Sequence, residues 1–155
     1  METNALVYKI QKAIVTVDDY ILWSHTLLKN GVSSISLNVI SSLRSTENIF
    51  EVEHYFKDAV KELKIEFPTI EISSRAYIAS LAIQILNKEN MIELFNLAYE
   101  IYRITSDLQY PEDIIEWYNI SEMIDQIRYD NSPLKFTEED VKSKIKHESK
   151  RLLDV

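Results

Sequence analysis

The chain has 155 residues, a formal net charge of −8, no cysteine and a single glycine, Gly31. That length fits one domain with a sizeable core, and the missing cysteines exclude a disulfide framework, a thiolate zinc site and a cysteine nucleophile. Glycine serves positive-φ turns and the loops that bring backbone up to phosphates, so its near absence argues against hairpins, P-loops and dinucleotide-binding turns.

What remains is helix after helix. The first is expected from about Asn4, its N-cap, to Val15, with Leu6, Val7, Ile10, Ala13 and Ile14 at helical spacing. A second runs from about Asp18 to Asn30, capped by Thr16 or Asp18, with Gly31 as the residue that ends it. Ser33 or Ser34 opens a short third helix through Leu43. Asn48-Ile-Phe-Glu51 has the N-cap and N3 residues of a capping-box variant. Behind it, Ile49, Val52, Phe56, Ala59, Val60 and Leu63 form an apolar face opposite a row of charges.

Ile65 to Ile72 alternates apolar and acidic residues around Pro68, which suits either a short extended piece or the entrance of the next helix. From Tyr77 to Leu86 that helix is apolar nearly all round and is expected to lie buried. Asn87 to Asn90 turns the chain into another helix, so that helices over about 69–88 and 90–105 form an αα-hairpin at the centre. Pro111 is expected to start a short helix through about Tyr118, and Ser121 to cap another through Tyr129. Asp130-Asn-Ser-Pro133 reads as a linker. Thr137 then caps a last helix, Glu138 to Leu153, with acids first and bases later, as the helix dipole favours. Its apolar positions, Val141, Ile145, Leu152 and Leu153, are sparse, so it is expected to dock at the periphery or to move freely. The fold class is all-α: a single-domain helical bundle or αα-hairpin array of seven to nine helices. Residues 1–130 are its core, and 131–155 are a linker and peripheral helix.

No apolar run approaches the ~20 residues that span a bilayer, and Met1-Glu2-Thr3-Asn4 lacks the basic start of a signal peptide. The expectation is a soluble cytoplasmic protein without membrane partners. Glu51-Val-Glu-His54 has the Glu-x-x-His spacing of di-iron bundles, but neither His25 nor His147 completes a second copy. It reads as a solvated pair, and no metal or cofactor is expected. Walker, Gly-x-Ser-x-Gly and His-Glu-x-x-His motifs are missing. Asp18-Asp19 and Glu112-Asp113 are neighbours that diverge by about 100° on a helix and build no shared acid–base site. Residues 31–60 bring only Arg44 and Lys57 against four acids, which argues against a DNA-reading helix.

The charge itself is concentrated. Residues 91–130 carry Glu93, Glu100, Asp107, Glu112, Asp113, Glu116, Glu122, Asp125 and Asp130 against Arg103 and Arg128, a net −7 of the total −8. Such a field repels nucleic acid and attracts basic partners. Within it, Asp107, Tyr110, Glu112, Asp113, Glu116, Trp117 and Tyr118 interleave acids with large aromatics. Tyrosine and tryptophan are enriched at interface hot spots, so these seven are the candidate partner-binding residues. Trp117 has two readings, as an exposed anchor or as a core plug beside Ile114 and Tyr118.

The segment Asp107-Leu-Gln-Tyr110-Pro111-Glu112-Asp-Ile114, following Tyr99-Glu100-Ile101-Tyr102, resembles a motif of small all-helical bacterial proteins of uncharacterised function. Some of these are similar to immunity proteins of polymorphic-toxin systems. The likeness covers at most Glu51 to Glu122. It implies a binder rather than a catalyst, one that neutralises a cognate toxin, often with an acidic surface facing a basic nuclease. The expected function is therefore protein binding to a basic partner. An enzyme with a dispersed helical-bundle site and an adaptor without a toxin are the alternatives.

Overall fold

The computed structural model describes all of Met1–Val155 and contains eight α-helices and no strand. By backbone contacts the chain clusters into two compact units, Met1–Tyr77 and Ile78–Val155.

The first unit holds α1 (Thr3–Gln11), α2 (Val17–Lys29), α3 (Ile35–Ser41), α4 (Ile49–Glu62) and the start of α5 (Ile70–Leu86). Leu6, Tyr20, Trp23, Leu37, Ile40, Val52 and Phe56 make its core. The Trp23 ring stands edge-on to Phe56 at 5.0 Å, and the Trp23 indole N–H donates to Thr3 Oγ1 at 3.0 Å. A buried indole N–H needs such an acceptor. Thr16 caps α2 in a full capping box with Asp19, whose carboxylate also accepts from Lys9 Nζ. Glu62, at the end of α4, accepts from the Ser36 amide and hydroxyl in the first turn of α3. The Ser34 side chain, together with these hydrogen bonds from Ser36, holds its carboxyl below the usual range.

The expected extended piece over 65–72 is irregular backbone, with Thr69 capping α5 after Pro68. Nor is α5 buried all round. Ser73, Ser74, Tyr77, Ile78, Leu81, Ala82 and Ile85 form one buried stripe, while Ile72 and Ile83 are about half exposed. Isoleucines on both faces hid the stripe from a pattern reading.

The second unit continues α5 and adds α6 (Met91–Asp107), a 3-10 turn (Glu112–Ile114), α7 (Glu116–Tyr129) and α8 (Glu138–Leu153). The two short helices expected over 111–129 are thus one 3-10 turn and one continuous helix. Ser121 lies inside α7, where its hydroxyl bonds back to the Tyr118 carbonyl at 2.7 Å instead of capping. The last helix is docked: α8 packs on α6 and α7, with Val141 and Ile145 fully buried. Burying such a side chain contributes about 1.5–3 kcal/mol, so two anchors outweigh an otherwise polar sequence. Lys146 adds a latch by donating to the Leu86 and Lys88 carbonyls at the end of α5.

Helix ends show how a chain with one glycine turns. Gly31 (φ +82°) closes α2 with its amide on the Leu28 carbonyl and the Val32 amide on Leu27. This is the paired bonding of a Schellman motif. The same pair closes α1 through Ala13, α4 through Lys64 and α6 through Gln109, all at positive φ. A side chain in that region costs roughly 1–2 kcal/mol per residue. The turns that glycine normally makes are present, but built under strain.

Candidate functional site

Two antiparallel helices build the site. Arg128 on α7 donates to Asn96 Oδ1 on α6 at 3.1 Å, and the Tyr99 hydroxyl reaches Asp125 at 3.4 Å. Residues three and four apart share a helix face. On α6 that rule aligns Tyr99, Tyr102, Arg103 and Ser106; on α7 it aligns Tyr118, Glu122, Asp125 and Tyr129. Between the helices runs a groove lined by Asn96, Tyr99, Arg103, Asp125, Arg128 and Tyr129.

The tyrosines form a connected row. Tyr99 meets Tyr102 at 5.2 Å between ring centroids, Tyr102 meets Tyr118 at 6.1 Å, and Tyr118 meets Tyr110 at 5.9 Å. Tyr129 stands exposed beyond the Tyr99 end. Five of the nine tyrosines thus sit on this one face. Tyr110 is placed by backbone that few tyrosines adopt. Gln109 and Tyr110 both have positive φ, at 63° and 57°, and the Tyr110 amide bonds to the Thr105 carbonyl at 2.9 Å. The Ser106 hydroxyl then donates to the Tyr110 hydroxyl at 3.0 Å. Burial, with Asp125 beside it, raises Tyr99 above the ordinary phenol range. Tyr102 is raised chiefly by its hydrogen bond to Tyr110. Both phenols therefore stay neutral at physiological pH.

The seven candidate residues from the sequence do not form one surface. Tyr110 and Tyr118 join the tyrosine row. Trp117 is fully buried with Ile114, Ile120 and Ile124, so it packs the core and offers nothing to a partner; its indole N–H has no hydrogen-bond acceptor. Glu116 turns to α8, where Lys144 Nζ lies 2.5 Å away and Asn119 donates to the other oxygen. Lys144 holds its carboxyl below the usual range. Arg151 of α8 donates to the Asp113 carbonyl at 2.6 Å while paired with the buried Glu148. Glu112 is exposed on the rim of a groove with Glu116, Lys144, His147 and Arg151. Asp107 and Asp113 are exposed and engaged in further interactions. Of the acids of 112–116, Glu116 is thus balanced by Lys144 of α8, and Arg151 of α8 holds the backbone beside Asp113.

Tyr99, Tyr102, Glu122, Asp125 and Tyr129 were not among the partner-binding candidates from the sequence. Their signal was the 3–4 spacing along each helix, hidden on α7 by the expected break at Ser121. Elsewhere, His25 Nε2 lies 2.9 Å from the Ser41 carbonyl, and the exposed His54 faces Asp58 at 3.6 Å. No three His, Asp or Glu side chains converge as metal ligands. No helix is long and apolar enough to cross a membrane. No protein-family model, curated protein or solved structure matches the chain.

Proposed function

We propose that the protein is a protein-binding module that docks a basic partner on the α6–α7 tyrosine face. Its most concrete form is an immunity protein that neutralises a bacterial toxin by binding it. The observation that carries this reading is the tyrosine row itself. Tyr110, Tyr118 and Tyr129 are 41%, 38% and 77% exposed, and Glu122 and Asp125 lie along the same face. Tyrosine combines a large apolar ring with few rotatable bonds, which is why it anchors interfaces at low entropic cost. A net charge of −8 steers a basic partner toward the molecule before contact.

The test is co-expression with the product of the adjacent gene, scored by growth and by co-purification. An immunity protein restores growth and co-purifies, and Tyr110→Ala/Tyr118→Ala loses both while staying folded. A partner that binds without being toxic favours the adaptor. Growth rescue that needs no binding, and survives the double substitution, overturns the docking reading.

A further inference from the structure

Within that face, three rings differ from the rest. Tyr110 and Tyr118 meet at 87° and Tyr102 meets Tyr118 at 53°. In a near-perpendicular pair one ring offers its edge, so at least one ring keeps both π-faces clear of its neighbour. The Tyr110 hydroxyl is itself held, by the Ser106 hydroxyl that donates to it at 3.0 Å. The edge-on contact therefore fixes the pair while leaving the edge ring's two faces clear of its neighbour.

The chain's own cations show what such faces accept. The Arg103 guanidinium lies 5.4 Å from the Tyr99 centroid, and Arg128 lies 5.9 Å from Phe95 on the same helix pair. Tyr102, Tyr110 and Tyr118 have no such cation over them. Glu122, exposed one turn beyond Tyr118 on α7, lies near enough to Tyr102 for its charge to act on that phenol.

We infer that Tyr102, Tyr110 and Tyr118, with Glu122, form a seat for a guanidinium group, and that the docking partner inserts an arginine there. A planar, weakly hydrated guanidinium stacks on aromatic faces and forks onto a carboxylate, whereas an ammonium is a strongly hydrated point charge. Arginine is thus favoured over lysine. The inference rests on the tyrosine face being the docking surface, and it adds the chemistry of the inserted group.

The test uses the full-length protein with isotope-labelled tyrosine rings. It is titrated with an unstructured peptide of alternating arginine and serine, and with lysine and citrulline versions of it. Citrulline keeps the planar shape and removes the charge. The arginine peptide moves the ring resonances of Tyr102, Tyr110 and Tyr118, the lysine peptide binds about fivefold or more weakly, and the citrulline peptide leaves them in place. Tyr118→Phe keeps the response, and Tyr118→Leu, which retains apolar bulk without a π-face, removes it. Equal shifts with arginine and citrulline, or shifts that survive Tyr118→Leu, overturn the seat. If the rings ignore the arginine peptide while the adjacent gene product still needs Tyr110 and Tyr118, docking stands and the guanidinium seat falls. If the rings take arginine and that partner ignores them, the seat stands and the docking reading falls.

Discussion

Tyr110 meets Tyr118 at right angles, 5.9 Å apart, across the turn that joins α6 to α7. One residue sits in strained backbone at the end of one helix, and the other is in the first turn of the next. Strain of this kind persists only where surrounding structure over-determines it. Here the Thr105 carbonyl, the Ser106 hydroxyl and the Tyr118 ring do so.

The strained caps yield the first prediction. Gln109→Gly, Lys64→Gly and Ala13→Gly should each stabilise the protein by about 1 kcal/mol, because glycine adopts positive φ without the Cβ penalty. Gly31→Ala should cost a similar amount, and through conformation alone, since nothing lies within 4 Å of the added carbon. Denaturant midpoints check this. Glycine variants no more stable than wild type would mean these ends relax in solution.

Burial along α5 yields the second. Leu81 is 2% exposed and Ile83 is 52% exposed. Leu81→Ala should cost about 2–5 kcal/mol, whereas Ile83→Ala should stay within about 0.5 kcal/mol. Equal losses at the two positions would show that the exposed face is covered in solution.

Legibility followed local physics. Caps that act within three residues were readable, as at Thr137 and at Thr16, one of the two residues expected to cap α2, where side chain and amide are set by sequence spacing alone. Gly31 was readable for the same reason. The end of α1 was not: the helix stops at Gln11, short of the expected Val15, because Ala13 takes the left-handed turn without being glycine. At the site, Tyr110 and Tyr118 were within reach of composition, but Glu116 was misplaced. Its partner Lys144 lies 28 residues on, and no local pattern reports a helix that returns. Trp117 was left with two readings because burial is decided by α7 as a whole.

The third prediction concerns acid. Lys144 depresses the Glu116 carboxyl in the folded state. A depressed carboxyl contributes stability above its unfolded value, near 4.5, and loses it as the pH falls through the folded one. Glu116→Gln should therefore lower stability modestly at neutral pH, by up to about 1 kcal/mol for a partly exposed pair. The gap to wild type should close as the pH falls well below the unfolded carboxyl value. A gap that stays constant would show that the pair does not form.

At the alkaline end the sign reverses. Tyr99 and Tyr102 are raised, so their contribution is complete below the unfolded phenol value and lost as the pH climbs through the folded one. Ultraviolet titration should show a late-ionising component that shrinks in Tyr99→Phe and in Tyr102→Phe. A single transition near the ordinary phenol value, unchanged in both variants, would contradict the packing of Tyr99 and Tyr102 in the row.

The central claim is that partners dock on the tyrosine row rather than on the acids of 112–116. The most direct measurement is the binding kinetics of the adjacent gene product on folded variants. Tyr110→Ala/Tyr118→Ala should raise the dissociation rate by about tenfold or more, as loss of hot-spot anchors does. Glu122→Lys should instead slow association at low salt, an effect that fades as the Debye length falls below ~10 Å. A dissociation rate unchanged by the double tyrosine substitution would contradict the account.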